Sequence, residues 1–238
     1  EALEALSATR RDGNGAGLVV LATGLGKTWL SAFDSKNFSR VLFVAHREEI
    51  LTQAMQTYRR IRPDANLGYF KGKDRDPNAD VVFASVQTLG QRGQHRIFDS
   101  SSFDYIVVDE FHHASASTYR VILDYFNPEF LLGLTATPER TDGGDILSLC
   151  QENLVYSCGI REGITRGLLC PFEYFGVADD IDYAQIPWRS TRFAPEAVTE
   201  HWATLARAEN VLEHYKEKGG SRTLAFCASK EHADYMRK

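Results

Sequence analysis

The sequence predicts an α/β fold in which a doubly wound parallel sheet is followed by the beginning of a second α/β domain. Short, continuous apolar runs alternate with amphipathic stretches, a glycine-rich turn follows the first run, and the pattern changes after about Cys150. With 238 residues, 43% hydrophobic and 25% charged, the chain is large enough to bury a core in one large or two smaller domains.

Five runs of strand length read, in order, GLVVLA (17 to 22), RVLFVAH (40 to 46), DVVFAS (80 to 85), YIVVDE (105 to 110) and FLLGLTA (130 to 136). They are continuous rather than alternating, as expected of strands covered on both faces. Between the second and third, REEILTQAMQTYRRI (47 to 61) sets Ile50, Leu51, Met55 and Tyr58 on one helical face. Strands separated by helices imply crossover connections and a parallel sheet. Beyond Cys150, LVYSCGIREGITRGLLCPFEYFGVADDIDY predicts a short strand, a helix, a second strand and an acidic loop. Two helical stretches follow (194 to 220), stopped by Gly219 and Gly220, then a strand RTLAFCAS (222 to 229) and a closing helix. The expected division is a first domain over 1–152 and an incomplete second over 153–238. Both ends fall within helical patterns, so further chain is expected on either side.

No apolar run approaches the ~20 residues of a membrane helix, and the first residues lack the features of a secretory signal, so a cytoplasmic protein without membrane contact is expected. The four cysteines have no zinc-ligand spacing and read as reduced, mostly buried thiols. A net charge of -5 gives no global signature of nucleic-acid binding, which would have to come from a local patch.

The candidate chemistry starts at LATGLGKTWL. A loop of Thr23, Gly24, Leu25 and Gly26, leading from a strand into a helix at Lys27 and Thr28, can wrap phosphates with backbone N–H groups. Lys27 would then reach the outer phosphates and Thr28 a magnesium ion; the general pattern's first glycine is Leu21 here. A second apolar strand ending in acids is the complementary requirement, met by Asp109 for the ion and Glu110 as base. His112 and His113 are adjacent and diverge by roughly 100° on a helix or point to opposite faces of a strand, a poor arrangement for sharing one metal. His113 alone reads as a packing residue. Thr135 and Thr137, at alternate positions, read either as strand-edge threonines or as hydroxyls able to bond His112. Trp188 reads as domain-edge packing or as a surface for base stacking.

ATGLGKT, VLFVAHREEI, ASVQTL, DEFHH and TAT, in this order, resemble motifs I, Ia, Ib, II and III of superfamily 2 helicases and translocases. The DEFH form is similar to the branch containing the motor subunits of type I and type III restriction enzymes. GITRGLLCPFEYFGV and RTLAFCASKEHADYM resemble the entry and motif IV of that branch's second domain. The family's motif I often lacks the first glycine, which accommodates Leu21. The resemblance implies two RecA-like domains, ATP and Mg2+ as cofactors, and a nucleic-acid partner, DNA in this branch.

Residue by residue, it implies ATP phosphate binding by the Thr23 to Thr28 loop, magnesium at Thr28 and Asp109, and catalysis by Lys27, Asp109, Glu110 and His112. Coupling falls to Thr135 and Thr137, and nucleic-acid contact to His46, Arg47, Gln87, Thr88 and Ser229. Arg47 also reads as a surface charge at a helix start, and Gln87 and Thr88 as a helix cap. No motif V or arginine-rich motif VI is present, so turnover by this chain alone is expected to be weak. The expected function is an ATP-dependent helicase or translocase, with nuclease, methyltransferase or specificity domains as further partners. The alternative is a nucleotide-gated binding module without productive turnover.

Overall fold

The five apolar runs form strands buried on both faces, because consecutive side chains of each strand enter two different cores. Leu18, Val20, Leu42, Val44, Val82, Ala84, Ile106 and Val108 point to one side; Val19, Leu21, Val41, Phe43, Val81, Phe83, Tyr105 and Val107 point to the other. The computed structural model describes residues 1–91, 93–137, 146–177, 186–189, 192–193 and 195–237, in two compact units, Glu1–Phe172 and Glu173–Lys238.

The first unit runs α1 (Ala2–Arg11), β1 (Ala16–Leu21), α2 (Lys27–Asp34), β2 (Val41–Ala45), α3 (Glu48–Ile61), β3 (Leu67–Lys71), β4 (Asp74–Arg75), β5 (Val81–Ser85), α4 (Val86–Leu89), β6 (Tyr105–Val108), α5 (Ser117–Tyr125), β7 (Phe130–Thr135), β8 (Leu154–Cys158) and α6 (Ile160–Thr165). Among the described residues, these strands form one sheet in the order β4-β3-β5-β2-β6-β7-β1-β8. All neighbours pair in parallel except β4, which is antiparallel to β3. Leu6 of α1, Leu30 and Ala32 of α2, and Leu51, Ala54, Met55 and Tyr58 of α3 cover one face. Val86 and Leu89 of α4 with Tyr119 and Ile122 of α5 cover the other. The doubly wound parallel sheet is therefore as the sequence predicts.

Two strands of the first unit were not foreseen. β3 alternates between half-buried and buried residues and joins β4 in a hairpin at the sheet edge. Its sequence, LGYFK, is too short and too polar to stand out as an apolar run. The first compact unit reaches Phe172, since β8 pairs with β1 and α6 follows it.

The second unit holds a two-stranded ribbon, β9 (Trp188–Arg189) and β10 (Arg192–Phe193), followed by α7 (Pro195–Trp202), α8 (Leu205–Lys218) and α9 (Lys230–Met236). The strands expected within 171–177 and 222–229 do not form: neither segment has a ladder partner among the described residues, and Tyr174 and Phe226 are 85% and 90% exposed. Apolar content favours a strand only where a neighbour supplies the hydrogen bonds. Most of the predicted acidic loop (178–185) lies outside the described residues. Cys150 and Cys158 are buried, Cys227 is half-buried and Cys170 is exposed.

An ion pair between half-buried Arg10 and buried Asp34 ties the first unit together at the N-terminal ends of its strands. The Arg10 guanidinium donates to both Asp34 carboxylate oxygens (2.6 and 2.8 Å) and lies over the rings of Phe38 and Phe130. The hydroxyl of Tyr105, at the start of β6, donates to Asp34 at 2.5 Å. Removing Arg10 would leave the buried Asp34 carboxylate uncompensated, so Arg10→Ala is expected to lower stability by about 3–5 kcal/mol in urea unfolding. Tyr105→Phe, which deletes one charge-assisted bond, is expected to cost about 1.5–3 kcal/mol.

Candidate functional site

Because β3, β5, β2, β6, β7 and β1 are parallel, their C-terminal ends lie along one edge of the sheet. The edge presents, in order, the β3–β4 turn, Gln87 and Thr88 after β5, His46 and Arg47 after β2, Asp109 and Glu110 after β6, Thr135 ending β7, and the glycine loop after β1. At ~4.8 Å between neighbours, the ends of β1 and β6 are roughly 10 Å apart, with β7 between them.

The glycine loop turns into α2 through two left-handed positions, Gly24 (φ +93°) and Gly26 (φ +82°), which a side chain would strain. Gly26 is also the residue from which α2 starts, so the positive end of the helix faces the loop. The Leu25 N–H donates to the Ala22 carbonyl (3.2 Å), closing the turn. Thr23 is exposed, and Lys27 and Thr28 are half-buried at the first turn of the helix. The Lys27 ammonium donates to the Leu21 carbonyl at 3.1 Å, which holds it folded over its own loop.

Across β7, Asp109 is only 6% exposed and accepts the Glu110 N–H at 2.9 Å. Burial pushes its carboxyl up to about 6; the Glu110 N–H opposes this, the Glu110 charge adds to it, and the Lys27 charge opposes it. A buried carboxylate short of positive charge, facing Lys27, suits a divalent cation. Glu110 takes a left-handed conformation (φ +55°) that non-glycine residues adopt rarely. It opens a short 3-10 turn, Phe111–His113. The ring of Phe111 is fully buried and stands where a side chain on Gly133 of β7 would be, since a Cβ there would lie 2.8 Å from the ring.

The turn also delivers His112 to β7. His112 Nδ1 lies 3.2 Å from the Glu110 carboxylate and 3.1 Å from Thr135 Oγ1. Thr135 Oγ1 donates to the Thr137 carbonyl (2.8 Å), so it accepts from His112, which assigns the proton to Nδ1. Thr137 joins through its main chain, its N–H donating to Thr135 Oγ1 (3.2 Å), rather than through the hydroxyl expected from alternate strand positions. The reason is local: β7 ends at Thr135, whose hydroxyl recaptures the turning backbone.

His46 and Arg47 are exposed, and Arg47 precedes α3. The Gln87 amide donates to the His46 carbonyl (2.9 Å) and to His46 Nδ1 (2.8 Å). Ser85 caps α4 by accepting the Thr88 N–H, and its hydroxyl bonds that of Thr88 at 2.8 Å. A cavity of about 610 Å3, lined by His46, Arg47, Glu49, Gln53, Glu110 and His113 among others, joins the end of β2 to the acid turn. Ser229 lies in the second unit, where it caps α9 through the His232 N–H (3.0 Å) and bonds Thr199. Trp188 is 60% exposed. Gly133 escaped the sequence reading, although a glycine inside an apolar strand signals close approach of another group.

The parallel sheet, with the glycine loop and the acid pair at one edge, is that of a RecA-like α/β domain. Residues 1–140 match the type III restriction enzyme res subunit family, and the chain belongs to that family. The helicase-like protein IRC3 of Saccharomyces cerevisiae is 33% identical over 92% of this chain and 35% of its own length. The type I restriction enzyme EcoAI endonuclease subunit of Escherichia coli is 29% identical over 93% of this chain and 31% of its own. The DNA 3'-5' translocase XPB2 of Sulfurisphaera tokodaii is 29% identical over 61% of this chain and 33% of its own. The chain thus spans about a third of the length of these relatives. Among solved structures, the type ISP restriction-modification enzyme LlaGI, bound to a DNA substrate mimic, shares the fold with a TM-score of 0.55 at 16% identity, over 99% of this chain and 25% of its own. A hypothetical ATP-dependent RNA helicase from Sulfolobus tokodaii does so with a TM-score of 0.55 at 22% identity, over 66% and 51%. No helix among the described residues is long and apolar enough to cross a membrane.

Two outcomes test the site's physics. Asp109 has a folded pKa of about 6 against an ordinary 3.8, so its ionisation costs stability. That cost is absent below the unfolded value and complete above the folded one. Without nucleotide and magnesium, stability is expected to fall between these pH values by at most about 3 kcal/mol, and Asp109→Asn to remove the fall in thermal melts across pH. Gly133→Ala drives a methyl into the Phe111 ring and is expected to destabilise by about 1–3 kcal/mol in urea unfolding.

Proposed function

We propose that this chain carries the ATP-hydrolysing part of a DNA helicase or translocase, in which nucleic-acid contact at one stretch of the sheet edge controls hydrolysis at the next. The observation that carries the reading is the row of contacts from Glu110, 3.2 Å from His112 Nδ1, to the His112–Thr135 hydrogen bond, set between the phosphate loop and the loops ending β2 and β5. Gly24, Gly26 and Lys27 hold the phosphates of ATP; Lys27 exchanges the Leu21 carbonyl for phosphate oxygen, a stronger charge-assisted partner. Thr28 and Asp109 are the residues that would hold Mg2+, which neutralises charge on the phosphate oxygens when bound.

Glu110 accepts the proton of the attacking water as its oxygen bonds the terminal phosphorus and the bridging P–O bond breaks, releasing ADP and phosphate. His112 Nδ1–H bonds Thr135 and lies 3.2 Å from the Glu110 carboxylate, so movement at the end of β7 is felt at the base. Arg47 and the His46–Gln87 pair form the nucleic-acid face, one strand from Glu110. A cation such as Arg47 neutralises phosphate without reading bases, which suits stepping along a backbone. DNA is favoured over RNA by the name of the XPB2 translocase and by the restriction-enzyme relatives.

ATP hydrolysis by the full-length protein, measured with no polymer, duplex DNA, single-stranded DNA and RNA, tests the reading. DNA is expected to stimulate turnover, and Glu110→Gln to reduce it roughly 10²–10⁴-fold while ATP binding persists. Tight ATP binding without turnover under all four conditions would replace the motor by a nucleotide-gated binding module.

A further inference from the structure

We propose that the β3–β4 hairpin extends the nucleic-acid face and that Lys73 and Arg75 bind backbone phosphates there. This rests on the nucleic-acid reading above and adds to it a surface beyond the loops ending β2 and β5. The hairpin pairs Phe70 with Arg75 and Lys71 with Asp74, and turns through Gly72 (φ +50°) and the exposed Lys73. Its tip is fastened to the neighbouring loop: the Gly72 N–H donates to Thr88 Oγ1 at 3.0 Å, and that hydroxyl is held by Ser85. The turn therefore continues the row of strand ends formed by β2 and β5, one strand further out. At ~4.8 Å per strand, the cations beyond β3 and β2 stand roughly 10 Å apart with β5 between them, a distance that phosphates a few nucleotides apart on one backbone can meet.

The charges of the hairpin are arranged to favour an anion at its tip. Lys71 is half-buried over the Tyr69 ring and pairs with Glu48 at 3.2 Å, neutralising an acid next to Arg47. The Asp76 carboxylate accepts the Asn78 N–H (3.3 Å) at the base of the hairpin. Asp74, exposed, is paired across the ladder with Lys71, away from Arg75. Arg75 lies over the Phe70 ring, donates to the Gly72 carbonyl (3.3 Å) and bonds Gln94, which fixes its guanidinium while leaving further N–H donors for a phosphate. Arg96, exposed on the turn that carries Gln94, adds to the same field. In a chain of net charge -5 this grouping is local, so its effect on a polyanion is short-ranged and depends on salt.

The test is the salt dependence of DNA binding by the full-length protein, followed by anisotropy of labelled duplex and single-stranded DNA from about 50 to 200 mM salt. Lys73→Ala and Arg75→Ala are each expected to make the log–log slope shallower by about 1, uniformly across sequences, and Lys73→Arg to restore it. ATP affinity without polymer is expected to stay unchanged in the Lys73 variants. A wild-type slope in both alanine variants, alongside a reduced slope in Arg47→Ala, would overturn the hairpin while leaving the nucleic-acid reading intact. Failure of the wild-type protein to bind any polymer would overturn both. Thermal melts identify loss of folding in Arg75→Ala, and Lys73, at an exposed tip, keeps the test decisive in that case.

Discussion

Everything in the first unit depends on the parallel pairing of β2, β6, β7 and β1, with the register running from Val41 opposite Tyr105 to Val20 opposite Thr135. Parallel strands end together, so residues far apart in sequence meet at one edge without a long loop to bring them there. A strand buried on both faces cannot slip by one residue without exchanging its two cores. The same apolar alternation that places Val107 and Val108 in opposite cores therefore fixes where Asp109 and Glu110 emerge.

The edge is also where the unit is least comfortable. Asp109 is buried with its charge poorly compensated, and Glu110 holds a backbone conformation that costs energy. Both are imposed by neighbours: Phe111, seated over Gly133, pins the turn from below, and His112 ties it to Thr135 from the side. At the opposite ends of the strands, the Arg10–Asp34–Tyr105 network joins the last residue of α2 to the first of β6. Since α2 begins at Lys27 and β6 ends at the acids, this remote clamp limits how far loop and acids can drift apart.

The sequence disclosed most clearly what is local or periodic. Five buried strands, the glycine loop and the acid pair each carry a signature within about ten residues, set by side-chain alternation, positive φ or strand-end position. Less legible was whatever depends on a distant partner. The ladder that makes β3 a strand is supplied by β5, and β8 belongs to the first sheet only because β1 accepts it. Conversely, RTLAFCAS has the composition of a strand and finds no partner among the described residues. Thr137 was placed by counting along a strand that in fact ends two residues earlier, so its contribution comes through its backbone.

The same distinction bears on the nucleic-acid candidates. The Gln87 amide is committed to His46, and the Thr88 hydroxyl to Ser85 and Gly72, so neither is a free hand extended to a phosphate. Their bonds instead lash three adjacent strand ends together, β2 through His46, β5 through Gln87 and Thr88, and β3 through Gly72. A surface braced in this way moves as a body. His46, at the inner end of these bonds, lines the same cavity as Glu110. In the proposed motor such residues would brace the face on which the polymer rests, and their hydrogen bonds distinguish them from side chains left open to touch it.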